Sequence, residues 1–256
     1  MLIIHPFGRL GNNIAQILKC LSYSLSLEKP IKISLIRLKN KHPEFLNNLP
    51  EYLFNYDDNK NILDKFWKYN EYTNLELQEK AITMLKPFLN YNLNINDSID
   101  FQNTLIIHFR GGDSMKGNHL INFKHPPYYF YKKIIEENIF ENILLVIEDQ
   151  SNPIIQKLVD NYKNIKITSN NQYEDFKIIM NAHYFVNSSS SFSSSAILFN
   201  NNLKKFYTSD GMHNYRKNFN NVNVIKYDLT NYYNKKFENG KEMLDFLLLE
   251  KDPFLI

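Results

Sequence analysis

The chain has 256 residues, 43% of them hydrophobic and 22% charged, a balance that excludes a disordered protein and leaves room for one large or two small cores. Its formal net charge of +3, with no long Lys/Arg run, excludes nucleic-acid binding by bulk electrostatics. The single cysteine, Cys20, excludes an internal disulfide or a multi-cysteine zinc cluster and suits a reducing compartment.

The first residues, "MLIIH", predict a short buried strand, followed by a turn at "PFGRLGNN" and a helix in which Ile14, Ile17, Leu18, Leu21 and Leu25 share one face. Pro30 ends that helix, and "IKISLI" alternates as a second strand, so the start reads as a βαβ unit. The opening apolar run is too short for a signal peptide and no later run approaches a membrane span, so a soluble, cytoplasmic protein without a transmembrane segment is expected. Residues 42 to 98 give one helix, around "NLELQEKAITMLKPFL", and the polar stretch "NYNLNINDSIDFQN" marks a boundary between residues 1–100 and 101–256. The Asn-rich segments, "NFNNVNV" among them, reflect a general surplus of Asn, Lys, Ile and Tyr rather than a prion-like tract.

From residue 104 the apolar runs "TLIIHF", "NILLVIE", "IKIT", "HYFVN" and "KKFYT" alternate with helical patterns near 128–139, 152–163, 173–181 and 191–200. Such alternation predicts a parallel, doubly wound sheet, whose ligands bind beyond the carboxyl ends of the strands. At those ends stand "RGGD", "EDQSNP" and "SSSSFS", all polar and small.

The paired glycines of "HFRGGD" are conspicuous in a chain with only 7 glycines. Arg110 can grip a phosphate bidentately while the amides of Gly111 and Gly112 approach the same anion, and Asp113 can orient Arg110. The six residues fit equally well a tight turn with an Arg–Asp surface pair and a structural histidine at 108. A helix starting near Ser191 offers unpaired N–H groups and hydroxyls to a phosphate, although plain capping explains the serines as well. Glu148 and Asp149 end a strand where a carboxylate can accept from a ribose or a base. "YEDF" at 173–176 is a helix start, with Glu174 and Asp175 favourable to its dipole.

The chain has no GxxxxGK[ST], no third glycine after "GRLGNN", no HExxH, no Asp-x-Asp pair and no GxSxG. P-loop, dinucleotide, zinc-protease and nucleophile-elbow chemistries therefore have no support, and no metal is implied.

Taken together, "GRLGNN", "HFRGGD" and "VNSSSSFS" resemble, in order and spacing, the motifs G-R-[FL]-G-N-Q, H-x-R-R-x-D and N-S-S-F-S of the alpha-1,2-fucosyltransferases and the wider O-fucosyltransferase superfamily. The resemblance implies an α/β, GT-B-like fold in which two Rossmann-like domains with parallel sheets face a cleft, residues 1–100 on the acceptor side and 101–256 binding the nucleotide-sugar. It implies a metal-independent, inverting glycosyltransferase that moves a sugar from a GDP- or UDP-linked donor to a glycan hydroxyl, with no cofactor. Residue by residue, Arg110, Asp113 and Asn12 take the catalytic positions, and His108, Gly111, Gly112, Arg9 and Gly11 fall on the donor-binding loops. The serine motif falls on Ser189, Ser190, Ser191, Phe192 and Ser193, and Asp149 stands where the family tends to carry a carboxylate for base or ribose. Two positions depart from the pattern: Gly111 replaces the second arginine and Asn13 the glutamine. The resemblance implies fucose or another deoxysugar or pentose as the donor sugar, and the lost cation and altered pocket suit a donor other than GDP-fucose, such as a UDP- or GDP-linked deoxysugar or pentose. "HPPYYFYKKI" is similar to a subgroup of viral and microbial glycan enzymes with a single arginine. A binding module of the same fold without transfer activity is the alternative, and a phosphate-binding hydrolase is disfavoured because no nucleophile accompanies the anion site.

Overall fold

The structure, a computed structural model, describes residues 2–4, 9–27, 31–33, 74–92, 101–188, 190–209 and 221–254. It begins with the expected βαβ unit: β1 (Leu2–Ile4) pairs in parallel with β2 (Ile31–Ile33), and α1 (Leu10–Leu27) connects them. Next comes α2 (Leu75–Asn92), the helix expected in the difficult middle region, with Pro87 on its exposed side.

The rest of the chain builds one six-stranded sheet. Its strands are β3 (Thr104–Phe109), β4 (Asn142–Ile147), β5 (Ile165–Thr168), β6 (Tyr184–Val186), β7 (Lys205–Ser209) and β8 (Asn223–Tyr227). They lie in the order β5-β4-β3-β6-β7-β8 and every neighbouring pair is parallel. Counted from β3, this is the 3-2-1-4-5-6 order of a doubly wound fold.

The connecting helices are α3 (Gly117–Phe123), α4 (Tyr128–Glu136), α5 (Pro153–Asn161), α6 (Gln172–Met180), α7 (Ser191–Leu198), α8 (Thr230–Asn234) and α9 (Gly240–Leu247), with a 3-10 turn at Gly112–Met115. Local sequence sets their starts. Asn152 caps α5 by accepting from Ile154 N with Pro153 in the first turn, Asn171 caps α6 through Tyr173 N and Glu174 N, and Ser190 caps α7 through Phe192 N.

Alternation along β3 divides the interior into two cores, as a sheet covered on both faces requires. Ile106 joins α1, α2, α6 and α7 on one face, through Ile14, Leu18, Leu85, Phe176 and Leu198. Leu105, Ile107 and Phe109 join α3, α4, α5, α8 and α9 on the other, through Tyr131, Leu158, Tyr232 and Met243. Helix α1 of the N-terminal βαβ unit thus packs directly against a helix layer of the six-stranded sheet.

The sequence reading assigns no element after "KKFYT", yet β8, α8 and α9 follow it. Strand β8 carries the pattern Asn-Val-Ile-Lys-Tyr with Asn223 and Lys226 exposed and no residue fully buried, which hides it among flanking asparagines. The stretch taken as a domain boundary falls largely on residues 93–100, and these lie outside the described residues.

Candidate functional site

The chain leaves β3 towards β4 and β5, then returns across the sheet to β6, so β3 and β6 are neighbours whose following loops diverge. Such a switch point opens a crevice at the carboxyl ends of the two strands. His108 near the end of β3 and Ser188 after β6 meet across it, with Nδ1 2.7 Å from Oγ. Ser188 Oγ lies 3.3 Å from Ser193 Oγ, tying the crevice to the first turn of α7. His108 is 6% exposed, and burial, reinforced by the positive charge of Arg110 and by His125, lowers its pKa to about 3. The imidazole is therefore neutral, and the positive charge at this end of the sheet belongs to arginines.

A cavity of about 490 Å³ occupies the crevice, within the range of small-molecule sites. Arg9, Gly11 and Asn12 line it from the start of α1, His108, Arg110 and Asp113 from β3 and its loop, and Glu148 from the end of β4. Asn170, Gln172 and Asp175 close it from the β5–α6 connection, and Ser190, Ser191 and Phe192 from the start of α7.

The two arginines are held differently. Arg9 forms an ion pair with Glu148, and its Nη2 lies 3.2 Å from Asp113 Oδ1. Among the described residues Arg110 makes one hydrogen bond, from Nη2 to the same Asp113 oxygen at 3.3 Å, and its guanidinium lies 4.7 Å from the centre of the Phe123 ring. Its Nε is buried and meets no acceptor among the described residues. With its side chain only 16% exposed, Arg110 is a nearly enclosed cation that has spent one of five donors. For Asp113, burial acts upward, but Arg110 and Arg9 outweigh it and hold the carboxyl below the usual range.

The amides of the paired glycines donate to carboxylates of the chain itself. Gly111 N donates to Glu148 Oε2 at 3.4 Å, and Gly112 N to Asp149 Oδ2 at 2.8 Å. Gly112 sits at φ +59°, where a side chain is strained. Asp149 also accepts from Ser151 N at 2.8 Å. Burial raises the Asp149 pKa, but the bonds from Ser151 and Gly112 prevail and the net shift is downward. Asp149, taken from the sequence as a base or ribose ligand, is thus a brace for the glycine turn and does not line the cavity.

Of the residues singled out in the sequence, the structure brings Arg9, Gly11, Asn12, His108, Arg110, Asp113, Ser190, Ser191 and Phe192 together on the cavity wall. Gly111, Gly112 and Asp149 are not among the lining residues, and Ser193 is fully buried. Ser189 lies outside the described residues, and Asn13, the other departure from the motif, is 1% exposed.

The sequence reading treats Asp175 as a helix-dipole residue, whereas it lines the far end of the cavity with Asn170 and Gln172. Asn170 donates through N and Nδ2 to Asp175 Oδ1, at 3.4 and 3.2 Å. Burial, ahead of the opposing Asn170 bonds, raises the Asp175 pKa. The signal available in the sequence was position: this segment follows β5 as the motif loops follow β3 and β6.

No family model matches the chain, and no curated protein matches it. Among solved structures, a crystal structure of POFUT1 in complex with GDP is similar at a TM-score of 0.40 and 11% sequence identity, over 76% of this chain and 92% of that chain.

Proposed function

We propose that the protein is a glycosyltransferase that binds the diphosphate of a nucleotide-sugar in the crevice between β3 and β6. One observation carries the reading: Arg110 lines the cavity at the switch point, and among the described residues only Asp113 accepts a hydrogen bond from it. A planar cation so placed fits the paired oxygens of a phosphate. The three motif loops that resemble the fucosyltransferase superfamily also converge on this cavity, although they lie about 180 residues apart in the chain.

In this reading an acceptor hydroxyl attacks the anomeric carbon from the face opposite the diphosphate. The carbon–oxygen bond to the diphosphate breaks, its electron pair goes to the departing phosphate oxygen, and the configuration inverts. Arg110 and Arg9 meet the charge that develops there, together with the first-turn amides of α7. No metal is needed in this scheme. Asp113 now shares one oxygen between both arginines. When the diphosphate takes over those guanidiniums, Asp113 is released to accept the proton of the hydroxyl. Residues 1–100 supply the acceptor side of a GT-B-like cleft, a glycan provides the hydroxyl, and the donor is GDP- or UDP-linked.

The slot at Gly111 bears on the donor sugar. A Cβ there would stand 2.8 Å from Asp149 Cγ, so the Asp149 carboxylate occupies the place of the second arginine of the motif. A donor other than GDP-fucose, carrying another deoxysugar or a pentose, fits that change. The same observation favours the second reading, a nucleotide-sugar-binding module without turnover. Calorimetric titration with GDP and UDP tests the shared premise, and binding of neither overturns it. Release of nucleoside diphosphate from a panel of nucleotide-sugars, with a glycan acceptor mixture, separates enzyme from module.

A further inference from the structure

We infer that Phe123 is a positioning residue: its ring fixes the plane of the Arg110 guanidinium, so that the fork is already set when an anion enters the cavity. The inference rests on the reading that this cavity takes a nucleoside diphosphate.

An arginine side chain has many rotamers, and an unsupported one loses much of its freedom on gripping a ligand. Hydrogen bonding does little to hold Arg110 here. Its bond to Asp113 is long at 3.3 Å, the acceptor side chain is 53% exposed, and Arg9 competes for the same oxygen. The other contact is the face of Phe123, 4.7 Å from the guanidinium carbon. A cation over a ring face keeps its N–H edge free for in-plane acceptors, which is the geometry that bidentate phosphate binding uses.

Phe123 is itself braced from behind. It ends α3, which Leu120 anchors in the core, and its ring stacks on His125 at 6.4 Å with 30° between the planes. His125 is 2% exposed, and its Nε2 lies 3.4 Å from Ser114 O. Ser114 in turn donates to Gly111 O at 2.8 Å, closing a circuit from the glycine turn through two rings back to Arg110. Between the rings, Lys124 takes φ +43°, and its Nζ donates to Tyr233 O and, at 2.9 Å, to Lys235 O. Burial lowers the His125 pKa to about 4, despite the Ser114 bond and with help from Arg110, so His125 is neutral and adds no competing charge.

Calorimetry on the full chain with GDP and with UDP tests the inference in wild type, Phe123→Leu, Phe123→Tyr and Arg110→Ala. Phe123→Leu is expected to weaken the tighter nucleoside diphosphate roughly 3- to 10-fold, the scale of one cation–π contact. Phe123→Tyr, which keeps the ring face, is expected to restore wild-type affinity, and Arg110→Ala to lose binding. Thermal midpoints measured in parallel separate positioning from folding, since a merely structural role moves midpoint and affinity together. If Phe123→Leu does not fold, Phe123→Met carries the same comparison. Wild-type affinity in a folded Leu or Met variant, or equal losses in the Leu and Tyr variants, overturns the positioning role and leaves the diphosphate site standing. Failure of wild type to bind either nucleotide overturns both.

Discussion

Gly11 and Phe192 meet backbone to backbone: a Cβ added to Gly11 would stand 2.5 Å from Phe192 N and 2.8 Å from Ser191 C. The starts of α1 and α7 thus touch where both line the cavity, and Ser195 Oγ secures them by donating to Gly11 O at 2.9 Å. Neither backbone can yield without moving its helix. Gly11→Ala is therefore expected to cost about 1–3 kcal/mol, the range for overpacked sites, and to weaken nucleoside diphosphate binding. Urea unfolding with parallel calorimetry measures both, and wild-type stability in the variant contradicts the close approach.

Arg110→Ala removes the cation assigned to the leaving diphosphate. Turnover is expected to fall about 100- to 1000-fold, the usual effect of deleting one preorganised charge contact. The thermal midpoint should stay near that of wild type, because Arg110 makes a single hydrogen bond to an exposed carboxylate. A fully active, stable variant would remove Arg110 from the mechanism.

Gly111→Arg restores the second arginine of the family motif and asks whether the slot accepts it. Its Cβ would meet Asp149 Cγ at 2.8 Å and Ser151 Oγ at 3.1 Å, so the variant alone is expected to be destabilised. Combining it with Asp149→Ala clears the obstruction, and the double variant should recover part of the loss. Strictly additive losses in thermal unfolding would show that Asp149 is not the obstacle.

His108 and His125 set an acid limit. Their pKa values, about 3 and about 4, lie below the ordinary value of 6.5, so in acid the unfolded chain binds more protons than the folded one. Their contribution to stability is complete above pH 6.5 and is lost as pH falls from there towards 4 and 3. Replacing both with Gln should flatten the dependence of the unfolding midpoint on pH between about 6.5 and 4. An unchanged slope would mean that one or both rings are charged in the folded state.

Asp175 works in the opposite sense. Burial raises its pKa above the ordinary value of 3.8, so its ionised form opposes folding, and stability present below pH 3.8 is lost as pH rises through the folded pKa. Asp175→Asn is expected to raise the thermal midpoint at pH 7 and to change it little near pH 3. No gain at pH 7 would indicate that the Asn170 bonds fully compensate the buried charge.

The strands from β3 to β7 were legible in the sequence because parallel strands covered on both faces read as apolar runs, and "TLIIHF" and "NILLVIE" are such runs. The start of α7 was legible as well, since its serines mark a helix start, with Ser190 the N-cap and Ser191 the first helical residue. Strand β8, at the sheet edge with no fully buried residue, offered no such run. At the site, Arg110 and Asp113 could be named because their spacing is local. The partnership of Arg9 with Glu148 spans 139 residues and depends on how α1 docks, which no local pattern encodes. Phe123 was not singled out, because its contact with Arg110 is a ring-face approach that no motif spacing encodes. The bond from Gly112 N to the Asp149 carboxylate was not legible either, because it depends on how the turn after β3 folds against the end of β4.

The switch point also governs how the protein comes to be whole. The crevice needs β3, β6 and the leading turn of α1 in place together, and its walls draw on positions from Arg9 to Phe192. Contacts so distant along the chain form late, because each must first close a long loop. A molecule bound there therefore recognises completed folding, and by mass action it shifts the equilibrium of the entire chain. In a growing cell the supply of such a molecule would act on the abundance of the folded protein as well as on its occupancy.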